Sequence, residues 1–101
     1  MHSRLDMQEH LQRLLGSKNV YFQPPEGMRI SYPAFVYDHA RRADRFANGS
    51  RYLKRRSYYV QYISQTYDEA FVENILDQEY CAFDKYFAKD DLYHFNFTMF
   101  Y

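Results

Sequence analysis

The alternation of apolar and polar residues from Tyr32 to Ser64 predicts one long β-hairpin, around which the rest of the chain is arranged. Asn48-Gly49 separates its two strand-like runs, and this dipeptide favours a type I′ turn because both central residues need a positive φ. A turn at Asn48-Gly49 fixes which residues lie opposite one another. The predicted pairs are Phe35 with Tyr62, Tyr37 with Val60 and His39 with Tyr58 on one face, and Ala34 with Ile63, Val36 with Gln61 and Asp38 with Tyr59 on the other. The first face is the more apolar and is predicted to cover the core.

Nearer its tip, the same register places like charges opposite one another. Arg41 meets Arg56 and Arg42 meets Arg55, and such pairs are destabilising. We therefore expect either that carboxylates from elsewhere neutralise these arginines or that a β-bulge shifts the register.

A first helix is predicted over Ser3–Leu15. Ser3 and Asp6 resemble a capping box, and Gly16 stands where a left-handed helix end favours glycine. With Arg4 set aside in favour of Leu5, an apolar stripe at helical spacing is expected to face the sheet. Its members are Leu5, Met7, Leu11, Leu14 and Leu15.

A second helix is predicted over Tyr67–Gln78, with Thr66 as its N-cap. Its apolar side combines the line of Phe71 and Ile75 with the line of Val72 and Leu76. Its opposite side is acidic and carries Glu69, Glu73 and Asp77.

Three further strands are predicted, over Asn19–Gln23, Tyr80–Ala88 and Leu92–Tyr101, with Lys89-Asp90-Asp91 as the turn between the last two. The element order is then α-β-β-β-α-β-β. This order predicts an α+β fold in which two helices pack on a mostly antiparallel sheet, and residues 1–101 are expected to form a single domain.

The composition suits equally a sheet protein with a small core and an interaction protein, in a reducing compartment. The chain has 12 Tyr, 9 Phe and no Trp, a balance that suits half-buried sheets or partner interfaces. Its one cysteine, Cys81, has no internal disulfide partner and is expected to be a buried small residue rather than a nucleophile. No apolar run approaches the length of a membrane span, so no membrane partner is expected.

Charge is segregated although the formal net charge is zero. Asp38–Arg56 holds seven basic and two acidic residues, a balance of +5, whereas Thr66–Asp91 holds eight acidic and two basic residues, a balance of −6. The basic patch consists of Arg41, Arg42, Arg45, Arg51, Lys54, Arg55 and Arg56. These residues are interleaved with Phe46 and Tyr52. Such a patch can bind nucleic acid, pair with carboxylates of a protein partner, or simply be exposed to solvent. The neutral total favours protein partners, including head-to-tail self-association.

Nothing in the sequence indicates catalysis. There is no phosphate loop, nucleotide fingerprint, CxxC or HExxH, and the four histidines (His2, His10, His39 and His94) do not recur at metal-ligand spacing. Adjacent Asp90 and Asp91 are expected to serve turn geometry. We therefore predict no enzyme, no catalytic residues, no metal and no cofactor.

Six stretches carry a likeness that spans nearly the whole chain: Gly16–Glu26, Tyr32-Pro33-Ala34, Phe46-Ala-Asn, Tyr80–Asp84, Asp90–His94 and Phe97–Tyr101. In these stretches the chain resembles small tail-completion proteins of long-tailed bacteriophages. Such proteins are often labelled minor tail or minor capsid proteins and are similar in layout to tail terminators.

The resemblance implies a virion structural protein of the tail and neck region, assembled in the host cytoplasm. Such proteins form a ring, typically a hexamer, on the head-proximal end of the tail tube. The ring stops tube growth and meets the neck or head-closure protein, and DNA passes through it without sequence-specific binding. On this reading, the basic patch pairs with Glu69, Glu73 and Asp77 of a neighbouring subunit. The rival expectations are a head-closure or head–tail adaptor ring of the same virion, and a nucleic-acid-binding module that uses the basic hairpin.

Overall fold

The computed structural model describes residues 3–40, 57–78 and 81–101, and it confirms the predicted α+β fold and element order. The described elements, in chain order, are α1 (Arg4–Leu15), β1 (Val20–Phe22), β2 (Ala34–His39), β3 (Ser57–Ser64), α2 (Glu69–Leu76), β4 (Cys81–Lys89) and β5 (Leu92–Phe100). The predicted Asn48-Gly49 turn and the arginine pairs at the hairpin tip lie outside the described residues.

The strands form one sheet in the order β1-β2-β3-β5-β4, with β1 parallel to β2 and every other neighbouring pair antiparallel. β2 with β3, and β4 with β5, are consecutive antiparallel neighbours. The α2 segment connects β3 to β4, which lie on either side of β5. As a result, β4 ends up at one edge of the sheet, opposite the short strand β1.

The predicted hairpin register is confirmed at every described pair, from Ala34 opposite Ile63 to His39 opposite Tyr58. The face predicted to cover the core does so: Phe35 and Tyr58 are fully buried, and Tyr37 is 1% exposed. Aromatic side chains directly opposite one another stabilise this pairing, as the rings of Phe35 and Tyr62 illustrate, with centroids 5.6 Å apart.

The capping box of α1 is confirmed, since the Ser3 hydroxyl accepts from the Asp6 amide and the Asp6 carboxylate accepts from the Ser3 amide. The helix ends at Gly16, whose φ of 74° lies in the left-handed region. Met7 and Leu11 are fully buried, as predicted.

The choice of Leu5 over Arg4 for the inward stripe of α1 was wrong. Leu5 is 65% exposed, whereas the Arg4 guanidinium lies 4.4 Å from the centroid of the Phe22 ring. Arg4 is three residues from Met7 and shares its side of the helix. Its apolar stem and planar head can cover an aromatic surface while the charge reaches a polar partner.

The predicted cap of α2 was also wrong, by two residues. The Asp68 carboxylate accepts the Phe71 amide at 3.1 Å, so the helix begins at Glu69, and it ends at Leu76. The Thr66 amide instead donates to the Ser64 hydroxyl in the preceding connection. The apolar stripe is confirmed, because Ile75 is fully buried and Val72 is 8% exposed.

The β4–β5 hairpin turns at Asp90 and Asp91, as predicted, with φ values of 55° and 62°. Aspartate tolerates this left-handed conformation better than most residues. The alternation along β5 is confirmed, because Phe95, Phe97 and Met99 are buried on the face that shares one core with residues of both helices, here called the helix-bearing face. One feature was not predicted: the register shifts between Phe83 and Lys85, which makes Asp84 the extra residue of a β-bulge.

Candidate interaction surfaces

One side of α2 is an exposed acidic surface formed by Glu69, Glu73 and Asp77, as predicted. The helix dipole favours Glu69 in the first turn but disfavours the acids in the last turn and at the C-cap. No basic residue stands in that last turn to offset them. The helix dipole therefore does not account for the carboxylates of Glu73 and Asp77.

The seven residues of the predicted basic patch all lie outside the described residues. The described residues on either side of them, Ala40 and Ser57, are neighbours, because the Ala40 amide donates to the Ser57 carbonyl at 2.9 Å. The described part of the chain brings the three acidic residues together, and the pairing of the two patches stays a prediction.

A second surface, which sequence reasoning missed, is a group of exposed aromatic rings beside the sheet edge. Tyr67 is 54% exposed, Phe83 46% and Tyr86 41%. Tyr67 packs edge-on against Tyr86 and Tyr93, with ring centroids 5.8 and 5.6 Å away. Strict alternation places Phe83 and Tyr86 on opposite faces, and only the bulge at Asp84 brings both to the helix-bearing face.

The opposite face of the sheet carries no described helix and has a shallow depression of about 410 Å³. Its lining is largely apolar, and two polar pairs on this face are hydrogen-bonded internally. The Gln61 side chain donates to Asn96 at 2.8 Å, and the Thr98 hydroxyl donates to Asp84 at 2.6 Å. Tyr59 stands at its margin and is 50% exposed. Mutually hydrogen-bonded groups of this kind are typical of a solvated sheet face.

Cys81 and His94, on the last two strands, are among the side chains with perturbed pKa values. Burial, together with the nearby Asp84, raises the pKa of the Cys81 thiol to about 11, so the thiol is protonated at neutral pH and is a poor nucleophile. Burial also lowers the pKa of His94. Its ring stacks on that of Phe87, with the two ring centroids 4.6 Å apart. The Nδ1 atom of His94 is buried and has no hydrogen-bond partner among the described residues.

Within residues 3–40, 57–78 and 81–101, no group of three or more His, Cys, Asp or Glu side chains is arranged to hold a metal ion. Neither of the two described helices combines the length and the apolar character needed to cross a membrane. No family model, curated protein or solved structure matches the chain.

Proposed function

We propose that the chain is a virion structural subunit, a tail terminator that assembles into a ring on the head-proximal end of a phage tail tube. The ring is a hexamer that contacts the tail tube protein on one side and the neck or head-closure protein on the other. DNA passes through its opening without sequence-specific binding. The proposal involves no catalysis and no cofactor.

The observation that carries the proposal is the exposed acidic side of α2 in a chain whose basic residues cluster elsewhere. Glu73 and Asp77 stand where the helix dipole disfavours them, which is a cost that a contact with a cationic neighbour offsets. A subunit that carries one acidic and one basic patch can repeat the same heterologous contact until a ring closes. Complementary patches also fix the register of such a contact. The sequence resemblance supplies the virion context.

The acidic half of the contact is tested by charge reversal on α2. Glu73→Arg is expected to lower the mass of the assembly measured by light scattering, with Glu9→Arg on the exposed side of α1 as the matched control. A ring that survives Glu73→Arg unchanged would rule out this surface as the subunit contact.

The basic half is tested in the same way with Arg55→Glu and Arg56→Glu. Arg29→Glu, an exposed arginine outside the basic patch, makes the same charge change and is expected to leave the ring intact. Combining Arg55→Glu with Glu73→Arg is expected to restore part of the assembly, because the contact again joins opposite charges. Equal loss in the control variant would point to a general effect of charge.

The role within the virion is tested by fractionation of virus particles. A terminator is expected to remain with headless tails, whereas a head-closure or adaptor ring remains with filled heads. Recovery with heads alone would replace the terminator assignment with the head-closure one.

A further inference from the structure

The outer edge of β4 is the longest open strand edge among the described residues. β4 runs from Cys81 to Lys89 and, of the described strands, pairs with β5 alone, while the opposite edge strand, β1, has three residues. An edge of this length presents unpaired backbone amides and carbonyls to another strand. The exposed rings of Phe83 and Tyr86 lie along it. Such an edge either pairs with a partner strand or carries side chains that prevent such pairing.

The side chains of β4 form a self-complementary sequence about its bulge. Reading outward from the centre, Asp84 is followed by Phe83, Ala82 and Cys81, and Lys85 is followed by Tyr86, Phe87 and Ala88. An acid is thus matched with a base, and an aromatic ring with an aromatic ring. Between them and the ends, Ala82 is matched with the larger Phe87, and the outermost match joins two small residues, Cys81 and Ala88.

The bulge also makes the faces agree. In a regular strand Asp84 and Lys85 would point to opposite faces. Antiparallel pairing of two copies centred between them would then place side chains of different faces opposite one another. Here Lys85 pairs with Asn96, and Asp84 accepts from Thr98, so both lie on the helix-free face. The same register shift places the next two residues outward, Phe83 and Tyr86, on one face of the sheet.

On the helix-bearing face, Phe83 pairs with buried Phe97 and Tyr86 pairs with buried Phe95. Ala82 and Phe87, opposite Thr98 and His94, share the other face. Further out, Cys81 and Ala88 both belong to the helix-bearing face, opposite Met99 and Tyr93 of β5. Every match across the bulge therefore joins side chains of one face.

From this symmetry we propose that β4 pairs antiparallel with β4 of a second copy, about a two-fold axis that passes between Asp84 and Lys85. Asp84 of each copy then lies opposite Lys85 of the other, and Phe83 lies opposite Tyr86. Opposite charges and aromatic rings are both favourable cross-strand pairs. The two sheets become continuous, and the described helices of both copies lie on one side.

This isologous contact goes beyond the proposed ring and uses a different surface from the α2 carboxylates. It covers the open edge in the free protein, where an exposed strand with flanking aromatic rings would otherwise favour aggregation.

The pairing is tested by a disulfide that only the proposed register allows. In that register Cys81 of one copy lies opposite Ala88 of the other, at a distance that suits a disulfide. Ala88→Cys is expected to yield a covalent dimer on oxidation. A bond within one chain is excluded, since the two positions lie roughly 23 Å apart along an extended strand.

Ala82→Cys is the matched control, because Ala82 is an equally exposed alanine of β4 that faces the other side of the sheet. Both variants are oxidised for equal times at mildly alkaline pH, since the Cys81 thiol has a raised pKa of about 11. No more dimer from Ala88→Cys than from Ala82→Cys would overturn the proposed register.

Charge reversal tests the centre of the contact independently. Lys85→Asp places a carboxylate opposite Asp84 in both halves and is expected to weaken the dimer roughly tenfold, because two opposite-charge pairs become like-charge pairs. Lys89→Asp makes the same change at the strand end and is expected to have little effect. Equal dissociation constants for the two variants, or a wild-type protein without any dimer, would overturn the proposal. The second result would mean that Lys85 and Lys89 prevent the edge from pairing with another strand.

Discussion

The Tyr37 hydroxyl and the Arg4 guanidinium join the middle of the sheet to the first turn of α1 through a hydrogen bond of 3.3 Å. The same hydroxyl donates to the Gln8 side chain at 2.6 Å, and the Gln8 amide group continues to the Val20 carbonyl. Burial raises the pKa of Tyr37, so the phenol stays protonated and keeps this donor role at neutral pH. The helix is therefore held by a polar contact as well as by apolar packing.

Tyr37→Phe is expected to lower the free energy of unfolding by about 1–2 kcal/mol, because Arg4 and Gln8 lose a common partner in a largely buried site. Denaturant unfolding measures this change. Tyr59→Phe, at a 50% exposed position, is expected to change stability by less than about 0.5 kcal/mol. Equal effects of the two substitutions would show that the Tyr37 hydroxyl contributes nothing specific.

The inward face of α1 is tested by truncating its apolar residues. Met7→Ala is expected to lower the free energy of unfolding by about 2–5 kcal/mol, because Met7 is fully buried and its loss leaves a cavity. Leu5→Ala removes a comparable side chain that is 65% exposed and is expected to change stability by less than about 0.5 kcal/mol. A larger loss of unfolding free energy for Leu5→Ala than for Met7→Ala would show that Leu5 belongs to the buried stripe.

The N-terminus of α2 depends on Asp68. Asp68→Ala is expected to destabilise the protein by about 1 kcal/mol, since the Phe71 amide loses its capping carboxylate. Thr66→Ala is expected to have a smaller effect, because Thr66 lies in the connection before the helix. Thermal unfolding followed by circular dichroism compares the two, and the reverse order of stabilities would restore Thr66 as the cap.

His94 is expected to make the fold sensitive to acid. Its pKa in the folded chain lies below the ordinary value of 6.5, because burial disfavours the charged ring. As the pH falls through 6.5, the unfolded chain takes up a proton that the folded chain does not bind. The free energy of unfolding therefore falls with pH until the lower pKa of the folded state is passed.

His94→Asn removes this proton uptake and provides the comparison. Unfolding curves collected from neutral to mildly acidic pH are expected to show a steeper loss of stability in the wild type than in the variant. Parallel curves would mean that His94 titrates alike in the folded and unfolded chains.

Local patterns predicted the hairpin pairing because its two strands are joined directly and a single turn position fixes every partner. The structure confirms the pairing of Phe35 with Tyr62 that the assumed turn position predicts, and the alternation around each residue assigns the buried face. The capping box of Ser3 and Asp6 and the turn at Asp90 and Asp91 are likewise short-range features. They depend on residues at most three apart.

The remaining features depend on contacts between segments distant in the chain. The inward position of Arg4 requires Phe22 and Tyr37 to be in place, so helical periodicity alone favoured Leu5. The bulge at Asp84 depends on its register with β5 and on Thr98, and alternation within β4 does not reveal it. The exposed group of Tyr67, Phe83 and Tyr86 follows from that bulge and was therefore missed as well.

The central claim is that the subunits assemble through opposite charges, and the molar mass in solution tests it most directly. Light scattering at low salt is expected to give a multiple of the 12.4 kDa chain near that of a hexamer. The mass is expected to fall towards that of the β4-paired dimer as added salt screens the contact between the patches. A monomer at every salt concentration, or a mass that rises only when DNA is added, would contradict the account; the latter would favour nucleic-acid binding.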